Sequence, residues 1–133
     1  MTALTAGTEL PTRHYRITRA DLVRYAGASG DFNPIHWSDR VATSVGLPGV
    51  IAHGMYTLAL AARAVAEWTE GAEVLELAAK FTNPVPVPDD DTGVEVAVAG
   101  TVGESAEGRT RIELTVTCGG TKVLGRPTAV VRG

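Results

Sequence analysis

The sequence predicts a single α+β domain in which an antiparallel sheet wraps one long apolar helix. Apolar residues recur at helical spacing before about residue 70, and from about residue 73 they alternate with a period of two. Runs of helix followed by runs of strand indicate segregated layers, where a parallel sheet would show alternating strands and helices. Size agrees: 133 residues form one domain, and a composition 44% hydrophobic against 20% charged can fill one core and still leave apolar surface for an oligomer interface.

The elements follow in order. HYRI at 14–17 reads as a short strand. Thr18 with Asp21 three positions on makes a capping box that opens the helix ADLVRYAGA, with Leu22, Val23 and Tyr25 or Ala26 on its apolar face and Gly27 and Gly30 ending it. Ser38 caps a second, short helix DRVATSV that stops at Gly46. A third helix spans 54–69, GMYTLALAARAVAEWT, where Met55, Leu58, Ala59, Ala62, Val65 and Ala66 recur at helical spacing. Tyr56, Leu60 and Ala61 leave little of its circumference polar, so this helix is expected to be mostly buried. EVLELAAKF begins the strands, NPVPVPDDD connects, and VEVAVAGTV, RTRIELTVTC and TKVLGRPTAVV complete the sheet, divided by ESAEG and GG. Pro127 marks an edge, a bulge or a break in the last run.

Several function classes lose support. Twelve Lys+Arg against fifteen Asp+Glu give a net charge of -3 with no basic stripe, which argues against nucleic-acid binding. MTALTAGTEL lacks the basic and apolar regions of a secretion leader. The apolar run at 50–66 contains His53 and Arg63 and is too short and too polar to span a bilayer. A cytoplasmic protein without membrane insertion is the expectation. Cys118 is a lone strand thiol with no disulfide partner. His14, His36, His53 and Cys118 show no CxxC or HxxxH spacing, so no metal is expected. Gly27 and Gly30 follow a helix, whereas a dinucleotide loop follows a strand, and Ser29 lacks the surroundings of a hydrolase nucleophile.

One stretch demands chemistry. SGDFNPIH at 29–36 places Asp31 and His36 in a turn between two helices, with Pro34 presetting a bend that can bring the imidazole back to the carboxylate. Spacing alone leaves two readings open. Asp31, Asn33 and His36 can simply cap the turn, or Asp31 and His36 can share a bound water or hydroxyl and move two protons in one reaction. Further on, His53 and Gly54 precede the apolar helix. Gly54 either permits the bend or lets a carbonyl approach the unpaired N–H groups of the helix start, and His53 reads as a residue that orients local backbone.

YAGASGDFNPIHWSDRVA resembles the signature of the MaoC-like, or hydratase 2, family, in which an aromatic residue leads into G-D-x-N-P-x-H and a small residue follows. Tyr25, Gly30, Asp31, Asn33, Pro34, His36 and Ala42 supply these elements, and IAHGMYT resembles the second family block. The resemblance covers residues 8–131 and implies a hotdog fold, the helix enclosed by the sheet. It further implies that Asp31 and His36 are the catalytic pair, that Asn33 supports them, and that the Gly54 N–H faces a thioester oxygen. By the same likeness the reaction is reversible dehydration of a 3-hydroxyacyl thioester to the trans-2-enoyl thioester, a hydro-lyase step needing no redox or metal cofactor. Within the family, the text is most similar to the catalytic B-type subunit of (3R)-hydroxyacyl-carrier-protein dehydratases of type II fatty acid synthesis. That implies acyl carrier protein as carrier and a second hotdog subunit as partner. A homodimeric (R)-specific enoyl-CoA hydratase shares the loop and the chemistry, with coenzyme A as carrier. A non-catalytic acyl-thioester-binding hotdog partner belongs to another class, as does a thioesterase on this fold; the intact D-x-N-P-x-H run speaks against both. Arg13, Arg16, Arg19 and Arg24 offer cations for a carrier, though spacing does not show that they converge.

Overall fold

A computed structural model describes residues 4–133; the first three residues of MTALTAGTEL, read above for a leader, lie outside the described residues. Strand β1 (Glu9–Ile17) leads into helix α1 (Arg19–Ser29). A 3₁₀ turn (Pro34–His36), the short α2 (Asp39–Ser44) and the long α3 (Gly54–Thr69) come next, followed by β2 (Val74–Phe81), β3 (Val94–Ala106), β4 (Arg109–Cys118), β5 (Thr121–Lys122) and β6 (Leu124–Arg132). The strands form one antiparallel sheet in the order β1-β3-β4-β6-β2, with β5 beside β4. Helix α3 packs against β1, β2, β3 and β6, so the sheet encloses it in the hotdog arrangement.

The helix starts are set locally. Thr18 accepts from the Asp21 N–H while the Asp21 carboxylate accepts from the Thr18 N–H, and Ser38 accepts from the Val41 N–H. Gly30 alone ends α1, at φ 75°, a left-handed conformation that suits glycine and turns the chain into the DFNPIH loop. Gly27 lies inside the helix, contrary to the sequence reading, because one glycine costs only about 1 kcal/mol in a helix that is otherwise capped and packed. Leu22 and Ala26, four apart, make the buried face, whereas Val23 is exposed.

Helix α3 corrects a larger expectation. It buries a stripe of Thr57, Leu60, Ala61, Ala64, Val65 and Trp68, while Met55, Ala59 and Ala66 are exposed. With alanines around most of the circumference, apolar spacing could not choose a face; the bulk of Leu60, Val65 and Trp68 does. Fully burying a side chain of the Leu or Val size contributes about 1.5–3 kcal/mol, far more than burying an alanine methyl.

Strand β1 is longer than HYRI, and its ladder slips between Leu10 and Arg13, where Pro11 has no N–H to give. Pro127 lies in an interior strand, between β4 and β2. The ladder passes from Ala78↔Thr128 to Lys80↔Gly125, so β6 carries an extra residue, and Arg126 sits there at φ 47°. Of the three readings of Pro127, the bulge is the one the sheet adopts.

Candidate active site

The loop after α1 and the start of α3 meet over a cavity of about 440 Å³. Asp31, His36, His53 and Gly54 line one side, and Ile35, Ile51, Val85, Phe81 and Leu124 supply apolar wall. The sequence-predicted residues thus come together from two separate stretches.

The loop is held by its own side chains. Ser29 Oγ accepts from the Asp31 N–H, Asp31 Oδ1 accepts from the Asn33 N–H, and Asn33 Oδ1 accepts from the Ile35 N–H at the head of the 3₁₀ turn. Asn33 at φ -55°, ψ 124° has the extended backbone that a following proline imposes. His36 ends the turn buried at 8% exposure, and its Nε2 lies 3.9 Å from Asp31 Oδ2, whose side chain is half exposed. That gap is too long for a direct hydrogen bond and leaves room for one oxygen atom to bridge the two groups.

The tautomer of His36 follows from the other nitrogen. Nδ1 stands 2.8 Å from the Ile51 carbonyl oxygen, which can only accept, so Nδ1 carries the proton. In the neutral ring Nε2 is then a lone pair facing Asp31.

His53 completes the cluster. Its Nε2 donates to the Asp31 carbonyl oxygen at 3.1 Å, which fixes the backbone beneath the carboxylate. Its ring stacks on His36, centroids 3.9 Å apart, and Tyr25 packs edge-on against it at 4.8 Å. Burial holds the His53 imidazole below its ordinary pKa; the bond to Asp31 opposes this and the His36 ring adds to it. His53 therefore orients backbone, as its place in the sequence indicated. Nothing in the sequence signalled its stack on His36 or the role of the Ile51 carbonyl, a backbone atom with no residue signature.

Asp31, His36 and His53 each offer one ligating atom within 4.8 Å of the others. Among these, His36 Nδ1 and His53 Nε2 are engaged by carbonyls, which leaves at most one nitrogen of each ring to ligate a metal. Gly54 opens α3, and a Cβ there would stand 2.9 Å from the Phe81 ring, so the close approach of Phe81 requires glycine. The four arginines considered for a carrier do not converge: Arg13 faces Glu67, Arg16 donates to the Thr92 carbonyl, Arg19 pairs with Asp39 and Arg24 with Asp21.

A model of the MaoC-like domain matches residues 2–121. The chain belongs to the MaoC-like family. It is 39% identical over 79 residues to the 3-hydroxyacyl-thioester dehydratase X of Mycobacterium tuberculosis, covering 59% of this chain and 27% of that one. Among solved structures, a MaoC-like dehydratase is 37% identical with a TM-score of 0.91, covering 96% of this chain and 40% of its own. The unliganded R-hydratase PhaJ1 of Pseudomonas aeruginosa is 28% identical with a TM-score of 0.83, covering 97% and 82%. The MaoC-like chain thus spans about a quarter of the tuberculosis dehydratase and two fifths of the MaoC-like dehydratase. Among its described residues no helix is long and apolar enough to cross a membrane.

Proposed function

We propose that this MaoC-like chain catalyses the reversible dehydration of (3R)-3-hydroxyacyl thioesters to trans-2-enoyl thioesters, as the catalytic subunit of a type II fatty acid synthesis dehydratase. The observation that carries the reading is His36 Nε2 and the Asp31 carboxylate facing each other across 3.9 Å while the Ile51 carbonyl holds the far side of the ring. The names of the tuberculosis dehydratase and of the Pseudomonas hydratase support it.

In dehydration His36 Nε2 takes the proton from C2, and Asp31 gives a proton to the hydroxyl leaving C3, which departs as water. The pair starts as neutral imidazole with carboxylic acid and ends as imidazolium with carboxylate. Both states hold the same number of protons, so transfer back across the gap resets the site. Hydration runs the steps in reverse, Asp31 drawing a proton from water as it adds to C3. The Nδ1–H bond to Ile51 persists throughout and keeps the ring from turning. Charge that builds on the thioester oxygen is stabilised by the Gly54 N–H at the start of α3, where backbone donors have no helical acceptor. Asn33 keeps the 3₁₀ turn, and hence His36, in place. The net change is redox-neutral, and two proton carriers with one oxyanion donor suffice for it without a cofactor.

The acyl chain fits the apolar wall of Val85, Val123 and Leu124. Phe32, Trp37, Met55 and Phe81 are all more than half exposed, and Met55 and Phe81 line the cavity. A second hotdog subunit, identical or different, covers such surface and narrows the cavity to a tunnel. The reduced thiol Cys118 is compatible with a cytoplasmic setting.

The test is hydration of short and long trans-2-enoyl thioesters of coenzyme A and of acyl carrier protein by the purified chain, alone and with a neighbouring hotdog subunit, with the chirality of the product determined. Formation of the (R)-3-hydroxy product is expected. A folded protein that produces none with either carrier, alone or paired, overturns the reading in favour of acyl-thioester binding.

A further inference from the structure

The arginines of the N-terminal half are engaged elsewhere, but a second group of cations lies beside the cavity. Beside the catalytic cavity lies a groove of about 400 Å³ that shares Thr82, Asn83 and Leu124 with it, so the two are immediate neighbours. Lys122 and Arg126 line the groove, and no carboxylate does. Lys80 stands beside them, paired across the ladder with Gly125, where an added Cβ would meet the Lys80 Cβ at 3.4 Å.

These three cations are unlike most others in the chain. Six arginines face carboxylates, and Arg16 donates to a carbonyl. Among the described residues Lys80, Lys122 and Arg126 have no acidic partner, although the protein carries a net charge of -3. The groove's backbone is also fixed. The Lys122 carbonyl accepts from Asn83 Nδ2 at 2.8 Å, and the bulge at Arg126 turns that residue out of the strand ladder. Unneutralised cations held together at the rim of an apolar cavity attract an anion that extends from whatever fills the cavity.

We propose that Lys122 and Arg126, with Lys80 beside them, bind the phosphorylated end of the pantetheine arm that carries the acyl group. This rests on the thioester reading above. The shared chemistry is a phosphate ester, found in coenzyme A and in the phosphodiester that joins the arm to a carrier protein. Guanidinium and ammonium donors make charge-assisted bonds to it, and the pantetheine would run past Thr82 and Asn83 to set the thioester against Gly54.

The experiment compares the wild-type protein with Lys122→Gln/Arg126→Gln, whose exposed head groups have no partner in the fold to lose. Substrates are the same trans-2-enoyl group on coenzyme A, on a carrier protein, and on pantetheine without phosphate. The variant should show KM raised about tenfold or more for phosphorylated substrates with kcat retained, the size expected from losing one or two charged hydrogen bonds. KM for the pantetheine thioester should not move. A loss on both carriers supports a common phosphate subsite; a loss on one alone supports the subsite and identifies its source. Equal KM for wild type and variant on every substrate, or an equal rise on the phosphate-free thioester, overturns the proposal. If the wild type, alone and with a second hotdog subunit, turns over none of the three, the dehydratase reading fails, and calorimetric binding of coenzyme A decides the subsite: weaker binding by the variant upholds it, unchanged or absent binding overturns it.

Discussion

The imidazoles of His36 and His53 lie stacked, ring centroids 3.9 Å apart and planes 21° from parallel, with the Asp31 backbone held from below by His53 and the Asp31 carboxylate held apart from His36 Nε2 by 3.9 Å. Two stacked histidines cannot both become cations cheaply, so the pair favours one proton carrier and one fixed neutral neighbour. That division of labour gives the first prediction. His53 is buried and its pKa is lowered from 6.5, so in the folded state it binds protons less readily than in the unfolded chain. Its contribution to stability is full above about pH 6.5 and is lost as pH falls from there through the lower folded-state value. His53→Gln keeps a donor for the Asp31 carbonyl and removes the titration. Thermal melts at about pH 7.5 and about pH 5 should show a smaller drop for the variant than for the wild type, and equal drops would show that His53 does not titrate on unfolding.

Asp31→Asn and His36→Ala should each lower kcat by about 10²–10⁴-fold, the range for losing a positioned acid or base. Circular dichroism should match the wild type, because neither side chain belongs to the main hydrophobic cluster. Retained turnover in either variant would break the proposed proton path.

Asn33 acts through a hydrogen bond and not through a proton. Its Oδ1 heads the 3₁₀ turn by accepting from the Ile35 N–H. Asn33→Ala should cost about 1 kcal/mol of stability, as other lost caps do, and lower kcat about tenfold with KM little changed. Asn33→Asp, which still offers an acceptor, should recover most of the loss. Failure of that rescue would mean the amide N–H₂ is the group that matters.

Much of this arrangement was written in the sequence wherever the rule is local. The Thr18–Asp21 box, the Ser38 cap and the glycine start of α3 are each set by residues within a few positions, and all three stand where those residues put them. Asp31, Asn33 and His36 were legible for the same reason: one turn carries them. Contacts made by the tertiary fold were not. Val23 and Leu22 look alike in a helix pattern until the sheet chooses between them, and Pro127 is compatible with edge or bulge until β2 and β4 are seen on either side of β6. Lys122 and Arg126 of the groove, and Lys80 beside it, come from β5, β6 and β2, whose neighbourhood only the ladder defines.

Trp68 shows what the missing choice of helix face concealed. It is 1% exposed at the end of α3, and its Nε1–H donates to the Pro11 carbonyl at 2.7 Å, tying the helix to β1 at the slipped register. Trp68→Ala removes the largest fully buried side chain and should cost about 3–5 kcal/mol, the usual penalty for such a cavity. Urea denaturation would read this as a lower midpoint with an unchanged slope. A change under about 1 kcal/mol would mean that β1 and α3 close the space by collapsing on each other.

Gly54→Ala separates the geometry of the site from the stability of the fold. The new methyl would lie 2.9–3.1 Å from three atoms of the Phe81 ring, which is 58% exposed and can swing outward. Helix α3 gains by exchanging glycine for alanine, so the melting temperature should fall little or rise. The displaced ring and the added methyl would both enter the space beside the helix-start N–H to which the proposed mechanism assigns the thioester oxygen. Losing the fit to one oxyanion donor costs about 10²–10³-fold in kcat. A variant as stable as the wild type but slow by that factor supports Gly54 as the oxyanion residue. Full activity with Phe81 displaced would move that role to another donor at the helix start.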